Sequence, residues 1–457
     1  MGSAGRRSAR AGAVVATCLA VLLPTALPAV ADPVRDKQYW LEDYGITDAW
    51  ATTQGEGVTV AVIDSGVDGT HPDLAGAVIG GADVSGAGDP GGQRGLGEVP
   101  PHGTLVSTLL AGRGHASGSD GDAPGPAPSP SGPPRATPSP GADAANAYGQ
   151  GPDGVVGVAP KAQLLAISVW IEGATSGPNP AGVSVDEQIP AAVHWAVDNG
   201  ADVINMSIGS TSTDWPESWD EAFLYAEQND VVIVAAAGNR AGGLTQVGAP
   251  ATIPGVLAVA GLDRSGLASA EASSEGISIA IAAPSENLVG GLPGGFYADW
   301  SGTSGAAPIV SGVAALIRSK YPELSAAEVV NRIVDTARDA GPPGFDTLYG
   351  YGVLDVAAAV SDGVQVPEAN RLGSMAKWIQ LYRRGGQVPA PTAPATTAPL
   401  PEALPAPPAP VAEDPLRPAS TTAAIVVLGS GALLLVVLLG GTVHTVRVLR
   451  RSGARNE

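Results

Sequence analysis

Val58-Thr59-Val60-Ala61-Val62-Ile63-Asp64-Ser65-Gly66 is a run of β-branched and small apolar residues that stops on a carboxylate and a Ser-Gly turn. Continuous rather than alternating apolar character marks a strand covered on both faces, the habit of parallel sheets. Residues 163–169, 201–206, 231–236 and 256–261 are runs of the same kind, each bounded by Gly, Asp or Asn. Stretches with helical spacing of apolar residues accompany them at 103–111, 185–199, 219–228, 304–320 and 326–337. Such alternation predicts a three-layer α/β domain with a mostly parallel sheet, in which ligands gather beyond the carboxyl ends of the strands.

Away from this body the chain of 457 residues changes character. Residues 1–31 carry Arg6, Arg7 and Arg10, then an apolar run broken by Pro24 and Pro28, then Ala29-Val30-Ala31, the small-x-small form of a signal-peptidase site. A signal peptide is expected there, with a mature chain from Asp32. The only cysteine, Cys18, lies in that run, so the mature chain is expected to hold neither a disulfide nor a cysteine nucleophile. Residues 423–443 are uncharged and apolar, and about twenty residues at ~1.5 Å each match a hydrocarbon core about 30 Å thick. This segment is expected to cross a membrane. Arg447, Arg450, Arg451 and Arg455 follow it, so the positive-inside rule places the tail, 444–457, in the cytoplasm and the body outside.

Between body and apolar segment, residues 365–422 read as a juxtadomain stretch and linker, with 386–418 dominated by Pro, Ala and Thr in the manner of an extended stalk. A second low-complexity tract, 113–153, reads as a disordered insertion within a domain of residues 51–364, preceded by an extension at 32–50. Its small residues would invite proteolysis, and self-cleavage is a hypothesis that an intact tract in the mass spectrum of active protein excludes. Formal net charge is −20, with acidic residues spread over the body, which argues against nucleic acid as a partner.

The chemistry-bearing residues sit where that architecture exposes them. Asp64 ends the first run, and Asn239 ends Val231-Val232-Ile233-Val234-Ala235-Ala236-Ala237-Gly238-Asn239. His102 opens His102-Gly103-Thr104, and Ser304 lies in Ser301-Gly302-Thr303-Ser304-Gly305-Ala306-Ala307-Pro308, each at the start of a predicted helix. Taken singly, Asp64 and Asn239 read as turn residues and Ser304 as a helix cap. Together they converge on one sheet edge and form a set that nucleophilic catalysis needs. A hydroxyl attacks only when an imidazole takes its proton, and a carboxylate fixes the imidazole tautomer and stabilises the imidazolium. An amide donor and a backbone N–H then bind the oxyanion. The other histidines fit less well: His71 stands in a turn, His115 in the low-complexity tract, His194 on an amphipathic helix where a packed role is expected, and His444 beside the apolar segment.

These blocks resemble the subtilisin-like serine peptidases, in which Asp, His and Ser follow one another in that order. The resemblance runs over about 38–360 and implies Asp64, His102 and Ser304 as catalytic residues and Asn239 as the oxyanion donor. It also implies that Asn205-Met206-Ser207-Ile208-Gly209 is a substrate-binding strand, where Ser207, Ile208 and Gly209 pair with peptide backbone. More narrowly, Val34-Arg35-Asp36-Lys37-Gln38-Tyr39-Trp40-Leu41, the stalk and the apolar C-terminal segment resemble the mycosins, membrane-anchored peptidases of type VII secretion. That implies a single-pass cell-membrane protein with an extracytoplasmic catalytic domain. Its expected partners are protein or peptide substrates, the secretion membrane complex, and lipid through the C-terminal helix.

The departures are specific. Pro101 stands where the family usually has Gly, Gly305 replaces a larger residue, and Ile309 replaces a frequent His. Crowding of the His102 helix is an expectation that follows from Pro101. The alternative function is a catalytically weak or inactive component that stabilises the secretion complex. No cofactor is called for. Asp68, Asp73 and Asp83 could ligate calcium, but without calcium-loop spacing they read as solvated loop acids, so no metal site is assigned.

Overall fold

The structure is a computed structural model that describes residues 33–116, 153–173 and 175–383. The expected signal peptide, most of the insertion, the stalk, the apolar segment 423–443 and the tail lie outside those residues. Among the described residues no helix is long and apolar enough to cross a membrane.

The apolar runs become strands within a residue or two of their predicted limits. They are β1 (Thr59–Asp64), β5 (Gln163–Ser168), β6 (Val203–Met206), β7 (Val232–Ala236) and β8 (Leu257–Leu262). Two further strands, β2 (Val78–Asp83) and β9 (Ile279–Pro284), close the two edges of a seven-stranded sheet in the order β2-β5-β1-β6-β7-β8-β9. Each neighbouring pair in it is parallel. Every residue of β6, β7, β8 and β9 is buried, which explains why these strands carry no polar alternation. The chain runs outward from β1 on one side and resumes on the other with β6, so the switch in direction falls between the carboxyl ends of β1 and β6, a natural site for a cleft.

Five longer helices flank the sheet: α1 (His102–Ala111), α2 (Val185–Asp198), α3 (Asp220–Gln228), α4 (Thr303–Lys320) and α5 (Ala326–Asp335). Ser184 and Ser325 begin α2 and α5 with capping boxes closed by Glu187 and Glu328. The small residues of α4 let it run through the core, where fifteen of its residues are buried.

Four segments differ from the sequence reading. The ends of the low-complexity tract form an antiparallel pair, β3 (Arg113–His115) with β4 (Asp153–Val156). The extension is not separate from the body, because Trp40 and Ile46 are completely buried and the Gln38 amide bonds both backbone groups of Val156, at 2.7 and 2.9 Å. Residues 365–383 also pack on the body through Met375 and Ile379. A hairpin absent from the predicted elements, β10 (Leu288–Leu292) with β11 (Phe296–Trp300), leads directly into α4.

Candidate active site

Asp64 is the last residue of β1 and is 1% exposed. The chain turns away at Gly66, whose φ of +115° suits glycine and whose position would bring a Cβ to 2.3 Å from the Arg94 carbonyl oxygen. The first turn of α1 packs against this bend so closely that a Cβ on Gly103 would lie 2.2 Å from the Gly66 oxygen. That approach lets the Gly103 N–H donate to Ser65 Oγ at 3.1 Å and brings His102 Nδ1 to 2.8 and 3.0 Å from the two Asp64 oxygens. The crowding expected from Pro101 does not occur. Pro101 stands at the helix N-cap with φ −79°, where no N–H is required, and its carbonyl accepts from Thr104 and Leu105, both at 3.2 Å.

The imidazole of His102 is 22% exposed. Burial pulls its pKa down, but the charge of Asp64 and the hydrogen bond to it outweigh burial and leave the pKa above the ordinary 6.5.

Ser304 enters from the opposite helix. Pro308, four residues on, has no N–H to offer the Ser304 carbonyl, and Ser207 Oγ donates to it instead at 2.9 Å. Asn205 Nδ2 donates to Ser207 Oγ at 3.0 Å, and Ser311 Oγ donates to Asn205 Oδ1 at 2.9 Å, so the end of β6 is tied to α4 by a buried polar network. The Ser304 hydroxyl donates to the Ser207 carbonyl at 3.2 Å and makes no hydrogen bond to His102. Reaction requires it to rotate from one acceptor to the other, a tightening common when substrate arrives.

Asn239 follows Gly238, at φ +100°, beyond the end of β7. Its Oδ1 accepts from the backbone N–H of Thr303 at 2.8 Å and from the Thr303 hydroxyl at 3.0 Å, while that hydroxyl accepts from the Gly238 N–H at 3.0 Å. With the amide oxygen doubly engaged, the NH₂ remains as the donor. A second donor is the Ser304 N–H, in the first turn of α4, where N–H groups lack intrahelical partners. The arrangement can therefore hold a developing oxyanion from two directions. Ser207 continues from β6, and the backbone groups of Ile208 and Gly209 make no hydrogen bond among the described residues, as an added peptide strand would require.

The remaining histidines stand elsewhere. His71 is fully buried: its Nδ1 accepts from the Asp73 N–H at 3.1 Å and its Nε2 donates to the Phe296 carbonyl at 3.2 Å. His115 Nδ1 donates to Asp73 at 2.7 Å. His194 is not packed in the core as expected but pairs with Glu221 at 2.8 Å on a partly exposed face.

Among the described residues no group of three or more His, Cys, Asp or Glu is placed to hold a metal ion. Asp68 accepts from Thr70 and Gly294, and Asp83 from Ser85, Gly88 and Ser168. Asp73 is completely buried, not solvated as expected.

Thr303, Ser311 and Trp300 escaped the sequence reading. Thr303 lay inside the serine motif, but its two-sided contact with Gly238 and Asn239 depends on distant chain. For Ser311 and Trp300 no local signal exists.

The Peptidase S8 subtilase family matches residues 55–352. Fervidolysin from Fervidobacterium pennivorans is 33% identical over 352 residues, covering 72% of this chain and 44% of the relative, so the chain spans less than half of that protein. Mycosin-1 of Mycobacterium tuberculosis is 33% identical over 387 residues, covering 74% of this chain and 76% of mycosin-1. The crystal structure of MycP1 from Mycobacterium smegmatis is similar with a TM-score of 0.54 and 28% identity, over 72% of this chain and 86% of that one.

Proposed function

The chain belongs to the subtilase family of serine peptidases, and from that premise we propose that it is a mycosin-type endopeptidase, anchored in the cell membrane by residues 423–443 with its catalytic body outside the cytoplasm. Its substrates are secreted proteins, and it works beside a type VII secretion complex. The similarity to mycosin-1 and the order of sequence segments support the location and the partner.

The observation that carries the catalytic reading is the Asp64–His102 hydrogen bond on the sheet edge where the first turn of α4 carries Ser304. In this reading Ser304 Oγ turns from the Ser207 carbonyl toward His102 Nε2 and attacks the scissile carbonyl as His102 takes its proton. Asp64 stabilises the imidazolium, and Asn239 Nδ2 with the Ser304 N–H receives the oxyanion. His102 then protonates the leaving amine, and water repeats the sequence on the acyl-enzyme.

A second reading, a weak or inactive stabiliser of the secretion complex, draws on the Ser304 hydroxyl bonding Ser207 rather than His102. A fluorophosphonate probe applied to the detergent-extracted full chain separates the two. Labelling of the wild type but not of Ser304→Ala is expected. Folded wild type that stays unlabelled sinks the catalytic reading.

A further inference from the structure

Beside the nucleophile, Gly305 leaves a space that another part of the chain fills. A Cβ on Gly305 would lie 2.3 Å from Leu288 Cδ1 and 3.3 Å from the Trp300 ring. Leu288 and Trp300 face each other directly across the β10–β11 hairpin, so one register delivers both to that space. The same Trp300 ring stands nearly perpendicular to the His102 imidazole, at 78° with centroids 5.9 Å apart, within the range of a favourable aromatic pair.

The hairpin that presents Trp300 is pinned along its length. The Gly291 N–H donates to Thr108 Oγ1 of α1 at 2.9 Å, and the Gly294 N–H to Asp68 at 2.9 Å. The Tyr297 hydroxyl donates to Asp73 at 2.9 Å, and Lys37 pairs with Asp299 at 2.7 Å. The indole N–H of Trp300 is buried with no hydrogen-bond partner among the described residues. An unsatisfied donor beside a reaction centre calls for a reason, because phenylalanine would fill an apolar space without it. Contact between a broad ring and the catalytic imidazole supplies one.

We propose that Trp300 is a positioning residue for His102, holding the imidazole against Asp64 in the orientation that receives the Ser304 proton, and that Gly305 is small because Leu288, with the indole packed beside it, occupies the space a larger neighbour would fill. The inference rests on the catalytic reading above. The space beside the residue after the nucleophile is filled by the hairpin that leads into α4, so positions 300 and 305 are coupled. A side chain at 305 displaces Leu288 and pushes the indole toward the imidazole.

The test is the inactivation rate of the full chain in detergent by a small fluorophosphonate, resolved into its limiting rate and its half-saturating concentration. For Trp300→Ala the limiting rate falls by about 10²-fold, the scale of a misplacement near 1 Å, while half-saturation stays unchanged. Trp300→Phe, which keeps an aromatic ring but not the breadth of the indole, recovers only part of the limiting rate. Gly305→Ala also lowers it, and the added change Leu288→Ala recovers part of the loss. A Trp300→Ala protein with an unaltered limiting rate and a raised half-saturation overturns the proposal, because the indole is then only a wall for the ligand. Should circular dichroism show Trp300→Ala unfolded, Trp300→Leu takes its place, and a wild-type limiting rate in it overturns the proposal equally. Unlabelled wild type removes the catalytic reading and this inference together, whereas labelled wild type with unaffected Trp300 variants removes this inference alone.

Discussion

Among the described residues two aspartates bind an imidazole nitrogen, and only one belongs to the candidate active site. Asp64 accepts from its neighbour's N–H and from His102, which leaves Nε2 of a partly exposed ring without a partner among the described residues. Asp73 is completely buried and accepts from His115, from Val155 at 2.8 Å and from Tyr297. Both nitrogens of its other neighbour, His71, are engaged. The hydrogen bond is nearly the same length in the two pairs. What differs is the remaining bonding capacity: Asp64 orients a base beside a serine, whereas Asp73 ties together the turn at Pro72–Leu74, β3, β4 and the hairpin. An Asp–His contact is therefore no sign of catalysis until the far nitrogen and its surroundings are known.

The sharpest way to break this comparison is to remove each imidazole. His102→Ala is expected to lower kcat by about 10⁶, the scale known for losing the subtilisin base, with the fold intact by circular dichroism. A smaller loss, near tenfold, would mean that the base lies elsewhere. Asp64→Asn is expected to cost about 10⁴ in kcat, since the amide favours the wrong imidazole tautomer. It also removes both influences that raise the His102 pKa and leaves burial, which lowers it. The base works as neutral imidazole, so activity disappears as pH falls through that pKa. The acid limb of kcat/KM in the wild type should lie above 6.5, and in Asp64→Asn it should move to lower pH. A limb that stays in place would show that Asp64 does not govern the base.

Asn239→Ala is expected to reduce kcat by about 10²–10³ with little change in KM, the scale for one oxyanion donor in subtilisin. A pure rise in KM would instead make Asn239 a substrate contact. At the other pair, His115→Ala should leave kcat unaltered and lower stability by about 1–3 kcal/mol, read from the urea midpoint, because a buried carboxylate oxygen loses its donor. Lost activity in a fully folded His115→Ala protein would erase the contrast between the two pairs.

Much of this was readable along the chain. The five apolar runs became central strands because burial on both faces leaves a continuous signature, and Asp64, His102, Asn239 and Ser304 stood out because each follows or opens such an element. The strands β2 and β9 were missed for opposite reasons. Val78–Asp83 carries two glycines and is only partly buried, while Ile279–Pro284 is a short alanine-rich run with no period to separate strand from helix. The hairpin was hidden by paired glycines that resemble a loop. Crowding at Pro101 was expected from the motif alone, but proline costs nothing at a helix N-cap, where no N–H is needed.

By itself, then, the sequence determined the layered α/β architecture and the order of the candidate catalytic residues, because hydrophobic periodicity and strand-end motifs are local properties. Only the tertiary structure decided that Asp73 is buried among imidazoles, what satisfies the Ser304 carbonyl that Pro308 leaves open, and what fills the space beside Gly305. Those answers depend on groups brought together from distant parts of the chain, Ser207 to Ser304 and Trp300 to His102, and a contact between distant residues leaves no trace in the spacing of either.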